Sequence, residues 1–141
     1  MSNTLPTPDV EVALRGIYAA INRNDIPAAL ALLDPRIEWI EPPEYPEGGT
    51  TRGLADVEAL HRRARATWAE GSCEPERFIF AGDRVIVFVH VRVRLKDKVE
   101  WIEGRLADVY TFRDGKIIQK RTFDEPQQAL EWVGVDASGA D

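Results

Sequence analysis

Apolar residues recur at helical spacing in three segments of the first half of the chain. The first begins at Thr7-Pro8-Asp9, which offers a capping hydroxyl, a proline suited to the first turn and an acid near the positive helix end. Asp25 can cap a second, shorter segment, and the third follows Gly53. The spacing therefore predicts three helices with these apolar positions: Val10, Ala13, Leu14, Ile17, Tyr18 and Ile21; Ile26, Ala29, Leu30 and Leu33; Leu54, Val57, Leu60, Ala64 and Trp68.

Alternating apolar and polar residues dominate the second half and predict strands. These strands cover residues 76–80, 84–95, 99–112 and 116–123, with turns at 81–83, 96–98 and 113–115. Short turns between long strands predict antiparallel hairpins. Residues 37–41 predict a short strand, residues 42–49 a proline-rich loop at its end, and residues 127–132 a last short helix.

Helices first and strands second indicate an α+β fold in which the helices cover one face of a mostly antiparallel sheet. The 141 residues suit a single domain, with an ordered core over about residues 9–133 and flexible ends.

Composition narrows the class of protein. Hydrophobic residues make up 44% and charged residues 30%, which is typical of a globular chain, and the net charge of −6 disfavours nucleic acid as a partner. No segment approaches the length of a membrane span, and no signal-peptide pattern is present. Cys73 is the only cysteine, so we expect a cytoplasmic protein without an internal disulfide. His61 and His90 lie far apart and no phosphate-binding glycine motif occurs, so neither a metal nor a cofactor is expected.

Three stretches carry a resemblance to a known family. The first runs from Ile17 to Pro42 and contains Tyr-Ala-Ala-Ile-Asn, Asn-Asp-Ile, Leu-Leu-Asp-Pro and Glu-Trp-Ile-Glu-Pro. The second is Arg52-Gly53, and the third is Ala-Asp-Val-Tyr-Thr-Phe-Arg-Asp-Gly-Lys, starting at Ala107. In order and spacing they resemble the ketosteroid isomerase-related, SnoaL-like branch of the nuclear transport factor two-like superfamily, over about residues 9–133.

The resemblance implies a cone-shaped roll, in which a strongly curved sheet wraps around the helices and encloses one deep, mostly apolar pocket. It also implies a homodimer through the outer face of the sheet. The fold hosts isomerases, cyclases, dehydratases, epoxide hydrolases and proteins without catalytic activity. The resemblance therefore indicates the architecture more firmly than the reaction.

Glu41 ends the short strand and shares a strand face with Ile37 and Trp39. If that face is interior, desolvation favours a raised pKa and a role in proton transfer. The resemblance places Glu41 where ketosteroid isomerase has its general-base aspartate, followed by the same proline. The alternative is a solvated acid at a strand end.

Asp108 lies within a strand rich in Tyr, Phe and Val, where a charged residue is uncommon unless it is paired or functional. The resemblance matches it to the oxyanion-hole aspartic acid of the isomerase; a buried ion pair is the alternative. Tyr18 faces the apolar stripe of the first helix, from which the family's oxyanion-hole tyrosine comes. Ile17 aligns better with that tyrosine, so Tyr18 is either a site residue or a core tyrosine.

Phe88, His90 and Arg92 alternate with valines, and two interpretations of this strand conflict. The pattern alone places the valine face in the core. The resemblance turns Phe88, His90 and Arg92 towards the pocket and leaves the valines on a dimerising outer face, and we favour it. A cation beside Asp108 would keep that acid ionised.

Other residues have simpler predicted roles. Trp39, Trp68 and Tyr110 are expected in the core or the pocket wall. His61 is expected to be solvated, and of Lys120 and Arg121 one must point outward.

These features predict a cofactor-independent acid–base enzyme for a small, apolar, carbonyl-bearing or polyketide-like molecule. Glu41 would be the base, and Asp108, aided by Tyr18 or His90, would stabilise an oxyanion or orient the base. A non-catalytic ligand-binding or dimerisation module and an epoxide-hydrolase-like Asp/Arg pair remain as alternatives.

Overall fold

The structure, a computed structural model, describes residues 7–135. Its helices and strands follow the predicted division into an α-rich first half and a β-rich second half. In chain order they are α1 (Thr7–Asn22), α2 (Ile26–Ala29), β1 (Leu33–Glu41), β2 (Gly49–Arg52), α3 (Leu54–Ala66), β3 (Trp68–Ala81), β4 (Arg84–Leu95), β5 (Ile102–Arg113), β6 (Lys116–Phe123) and α4 (Pro126–Val133). The fold is α+β, as the sequence predicts.

All six strands form one sheet in the order β2-β1-β6-β5-β4-β3. Neighbouring strands are antiparallel except β1 and β6, which run parallel. Parallel neighbours cannot be joined by a hairpin, and here the chain between them supplies α3 and the other strands. The carboxyl ends of β1 and β6 therefore lie side by side.

The inner face of the sheet packs against α1, α2 and α3 and forms the larger core. It includes Leu14 of α1, Ile37 of β1, Val57 of α3 and Tyr110 of β5, all fully buried. Val85, Val87 and Val89 belong to the same core. The preferred prediction for β4 is therefore wrong, because the valines face the helices and cannot form an outer dimer face. Hydrophobic alternation alone gives the correct face.

A second core lies on the outer face of the sheet, where α4 covers part of it. Ala129 and Leu130 of α4 pack on Ile86, Ala107 and Val109. Phe88 and Trp132 border this cluster. The C-terminal helix therefore forms a third layer, on the outer face of the sheet.

One strand was not predicted, and the bounds of several other elements differ from the prediction. The strand β2 is too short to be recognised in the sequence, and it pairs with β1 from Glu38↔Arg52 to Glu41↔Gly49. The strand β3 begins at Trp68, well before residue 76, and carries two register shifts. The strand β1 begins at Leu33, which the prediction gave to the second helix, and not at residue 37.

Over residues 7–135 no helix is long and apolar enough to cross a membrane. The expectations for the chain ends fall on residues 1–6 and 136–141, which lie outside the described residues.

Candidate functional site

Glu41 is the last residue of β1, and its side chain lies on the inner side of the sheet with Ile37 and Trp39. Its oxygen Oε2 accepts a hydrogen bond from the indole Nε1 of Trp39 at 3.0 Å. The other oxygen, Oε1, has no hydrogen-bond partner within residues 7–135. It is not fully buried, so solvent or a ligand can reach it. One carboxylate oxygen is thus held by the protein and the other remains available.

Lys120 of β6 is a site residue for which the sequence predicted no role. The parallel register pairs it with Trp39, and the residue is only 4% exposed. The ammonium lies 2.6 Å from Oε2 of Glu41, 3.7 Å from Oδ1 of Asp108 and 4.0 Å from the centre of the Trp39 ring. Of the adjacent pair Lys120 and Arg121, Arg121 points outward, over Trp132.

A chain of hydroxyl groups connects Lys120 to the core. Lys120 donates to Oγ1 of Thr122 at 2.5 Å, and Thr122 donates to Oδ1 of Asp108 at 2.6 Å. Tyr18 donates to Oδ2 of the same carboxylate at 2.6 Å, and Tyr110 donates to the hydroxyl of Tyr18 at 2.9 Å. Asp108 therefore accepts from two hydroxyls, which is the pattern of a carboxylate acceptor.

Burial and charge shift the titration of this cluster. Burial by itself lowers the pKa of Lys120, but the charges of Glu41 and Asp108 outweigh it, and the net pKa lies above its usual value. Burial raises the pKa of Tyr18 and of Tyr110 well above the usual range, and the negative charge of Asp108 adds to both shifts. At neutral pH the cluster thus contains an ammonium ion and two neutral phenols.

His61 belongs to this region, although it was predicted to be solvated. It is 8% exposed, and its ring meets Trp39 edge to face, with centroids 4.5 Å apart. Its Nδ1 lies 2.9 Å from the carbonyl oxygen of Val57. The prediction is wrong because positions 57, 60, 61 and 64 share one face of α3, which packs on β1.

Two hollows adjoin Glu41. A cavity of about 120 Å³ lies between the helices and β1, and its lining includes Glu41, His61 and Trp68. A cleft of about 330 Å³ lies on the loop side, lined by Glu41, Thr122 and part of the proline-rich loop. The loop residues that line this cleft are Pro42, Pro43, Glu44 and Gly49. Asp108 and Tyr18 line neither hollow.

The loop over residues 42–49 is compact. Tyr45 donates from its backbone to the Pro42 carbonyl, and its hydroxyl donates to Asp124 at 2.7 Å. A β-carbon at Gly48 would collide with the carbonyl groups of Pro42 and Pro43, so the fold of the loop requires glycine there. These hydrogen bonds, one within the loop and one to Asp124, hold the loop beside the cleft.

The structure contradicts the placement of Phe88, His90 and Arg92. These side chains lie on the outer face because Val85, Val87 and Val89 occupy the inner one. His90 and Arg92 contact Glu103, at 2.9 Å and 4.0 Å respectively. Within residues 7–135 the cation beside Asp108 is Lys120, so the Asp/Arg pair of the epoxide-hydrolase-like alternative is not formed.

Trp68 and Cys73 complete the surroundings. Trp68 lines the small cavity and stacks under the guanidinium of Arg65 at 4.6 Å. Burial raises the pKa of the Cys73 thiol to about 12, which leaves it un-ionised at neutral pH. Residues 7–135 contain no group of three His, Cys, Asp or Glu side chains placed to hold a metal ion.

Comparison with known sequences and structures identifies the class. The SnoaL-like domain profile matches residues 14–120, and the chain belongs to this family. No protein with a curated description matches the chain.

Solved structures with the nuclear transport factor two-like fold are similar over nearly the whole chain. TerC, co-crystallised with polyporic acid, is 26% identical, with 91% of this chain and 99% of TerC covered and a TM-score of 0.73. An NTF2-like protein from Burkholderia thailandensis is 29% identical, with 90% and 97% covered and a TM-score of 0.73. A protein of ketosteroid isomerase-like fold from Catenulispora acidiphila, in complex with trimethylamine, is 17% identical, with 94% and 98% covered and a TM-score of 0.72.

Proposed function

We propose that this protein is a cofactor-independent acid–base enzyme that binds a small, largely apolar, carbonyl-bearing molecule and moves a proton with Glu41. The observation that carries the proposal is that the two oxygens of the Glu41 carboxylate differ in their hydrogen bonding. Oxygen Oε2 is held by Lys120 and Trp39, whereas Oε1 is unbonded within residues 7–135, and Glu41 adjoins two hollows. A base needs this combination of fixed position and free lone pair.

The roles of the neighbouring residues follow from their contacts. Lys120 fixes Oε2, so Oε1 is the oxygen that accepts the proton. Asp108 acts through Thr122 and Lys120, so it is a positioning residue in this scheme. The hydroxyl of Tyr18 is occupied by Asp108, and His90 lies on the other face, which argues against either as an oxyanion donor.

The similar structures support a small-molecule ligand. TerC was crystallised with polyporic acid and the Catenulispora acidiphila protein with trimethylamine. By analogy this chain would act on a polyketide-like ketone or enol, in an isomerisation, cyclisation or dehydration.

Hydrogen exchange at carbon tests the proposal without knowledge of the product. Cyclic ketones, aryl ketones and 1,3-diketones are incubated with the protein in D2O, and exchange next to the carbonyl is followed by NMR. The variant Glu41→Gln removes the base and nearly preserves volume, so exchange should fall by about two to four orders of magnitude. Glu58→Gln, on the surface of α3, is the matched control and should keep full activity.

Unchanged exchange in Glu41→Gln would rule out the mechanism. The melting temperature of each variant separates loss of the base from loss of the fold.

A non-catalytic binding module is the second candidate. It is favoured by the ion pairing of Lys120 with both carboxylates, because a buried ion pair is also a common structural element. Polyporic acid distinguishes the two: saturable binding without carbon exchange in any compound of the panel would support the module.

The proposed assembly is a homodimer. Since the valines of β4 are internal, its interface would have to use other apolar surface. Such surface is supplied by Val99 and Trp101, just before β5, and by Ile102, its first residue, with exposures of 84%, 36% and 53%.

A further inference from the structure

His61 has one ring nitrogen with a fixed partner. Nδ1 lies 2.9 Å from the backbone carbonyl oxygen of Val57, one turn earlier in α3. A carbonyl oxygen only accepts, so Nδ1 carries the hydrogen. In the neutral ring the other nitrogen, Nε2, must then be a bare acceptor.

Charge and burial favour the neutral ring. Burial lowers the pKa of His61 below its usual value, and the Lys120 ammonium on β6 lowers it further. The Val57 carbonyl and Glu41 on β1 oppose this shift without reversing it. Arg65, one turn further along α3, is committed to the backbone carbonyls of Ile21 and Asn22.

Nε2 has no hydrogen-bond partner within residues 7–135, and His61 is more than nine-tenths buried. The residue lines the cavity of about 120 Å³. Two charged residues, Glu41 and Arg65, also line it, and the remaining walls are apolar: Ile21, Ile26, Trp39, Leu60, Ala64 and Trp68. Nε2 is not fully buried, so at the open side of this wall it can accept a hydrogen bond from water or from a ligand that donates one.

The volume limits what can enter. An engineered protein cavity of about 150 Å³ holds one benzene molecule, so about 120 Å³ is room for a single small ring. A larger substrate would place only its terminal ring there and keep the rest outside this cavity.

We propose that this cavity binds one hydroxyl-bearing ring, a phenol or a ring enol, whose O–H donates to Nε2 of His61. Only the consequence that the ring is thereby presented to Glu41 rests on the proposed function. His61 is the residue that selects the hydroxyl, and the apolar walls select the ring.

Phenol and toluene are the probes, because they share size and shape and differ in the donor. The chain has two histidines, so nitrogen-15 spectra of histidine-labelled protein contain one ring from the site and His90 as an internal reference. At pH 7 His61 should show protonated Nδ1 and bare Nε2. Phenol should shift the Nε2 resonance, and toluene should leave it near its free position.

Affinities measured by NMR titration give the second arm. In His61→Leu the affinity of phenol relative to toluene should fall roughly tenfold, the worth of one hydrogen bond. His90→Gln, on the outer face, should keep the wild-type ratio.

A hydrogen on Nε2 at pH 7, an equal affinity ratio in wild type and His61→Leu, or no binding of either probe would overturn the proposal. The spectra of the wild-type protein decide it even if His61→Leu does not fold. None of these measurements needs turnover, so a lack of carbon exchange would refute the enzyme while leaving hydroxyl recognition intact.

Discussion

The side-chain nitrogen of Lys120 lies 2.6 Å from Oε2 of Glu41, where the parallel strands β1 and β6 run side by side. The two residues are 79 positions apart in the chain. The backbone register that pairs Trp39 with Lys120 also places the ammonium over the indole ring. The ion pair, the aromatic ring and the free oxygen of Glu41 are therefore positioned by one strand pairing.

Removal of the buried cation should be costly. In Lys120→Met the carboxylates of Glu41 and Asp108 lose their common counter-charge, and we expect the free energy of unfolding to fall by about 3–5 kcal/mol. Urea unfolding at pH 7 measures the loss. The double variant Lys120→Met/Glu41→Gln should recover part of it, because one of the unpaired charges is gone.

The matched control for this prediction is Arg62→Met on α3. Arg62 pairs with Glu58 at 2.8 Å, but both side chains are about half exposed, so its removal should cost less than about 1 kcal/mol. Equal losses in the two variants would show that the pairing of Lys120 with Glu41 and Asp108 contributes no more than a surface contact.

Stability should fall with acid because of His61. Its pKa is lowered in the folded protein, so below pH about 6.5 the unfolded chain binds a proton that the folded chain resists. The stability conferred by the neutral ring is present above that pH and is lost as the pH falls, by up to about 1.4 kcal/mol per pH unit. Unfolding between pH 7 and 5 should therefore be less pH-dependent in His61→Leu than in wild type. A wild-type protein as stable at pH 5 as at pH 7 would contradict the prediction.

The tyrosines should affect the free energy of unfolding at alkaline pH. The chain has three, and the pKa of each is raised, chiefly by burial. Above pH about 10 the unfolded chain loses phenolic protons that the folded protein keeps, so stability declines as the pH rises. The phenolate absorbance should accordingly appear together with unfolding and not before it. A tyrosine that titrates near pH 10 in the folded state would refute this expectation.

Oligomeric state tests the role of the exposed residues at the start of β5. Light scattering at micromolar concentration should give twice 15.9 kDa if they form a dimer interface. Ile102→Glu should return the mass to that of one chain. Val12→Glu, at an exposed apolar position on α1, should leave the dimer intact. A monomeric wild-type protein would rule out the proposed homodimer.

The fold was predictable from the sequence wherever a pattern is long. The twelve-residue strand β4 was predicted with its bounds, and its alternation also gave the correct inner face. The family resemblance misplaced Phe88, His90 and Arg92, because shared architecture does not guarantee that each side chain of a strand keeps its role. The four-residue strand β2 was missed because Gly-Thr-Thr-Arg carries no apolar alternation.

The candidate site was predicted in part. Glu41 and Asp108 lie on one face of the sheet, joined through Lys120, but only Glu41 lines a hollow, so the two acids do not share the single pocket that the resemblance implied. Which of Lys120 and Arg121 points inward depends on the register of β6, and no local pattern gives that register. The burial of His61 could have been predicted, since it follows Val57 by four positions on the packed face of α3.

The parallel pairing of β1 and β6 also fixes when the site can form. During synthesis Glu41 is made long before Lys120, and β1 lacks one of its two neighbours until the sixth strand has docked. A contact between residues so distant in the chain forms only after a large loop has closed. Glu41 therefore need not leave water until its counter-charge arrives, and a chain truncated before β6 would contain the base without the residue that holds it.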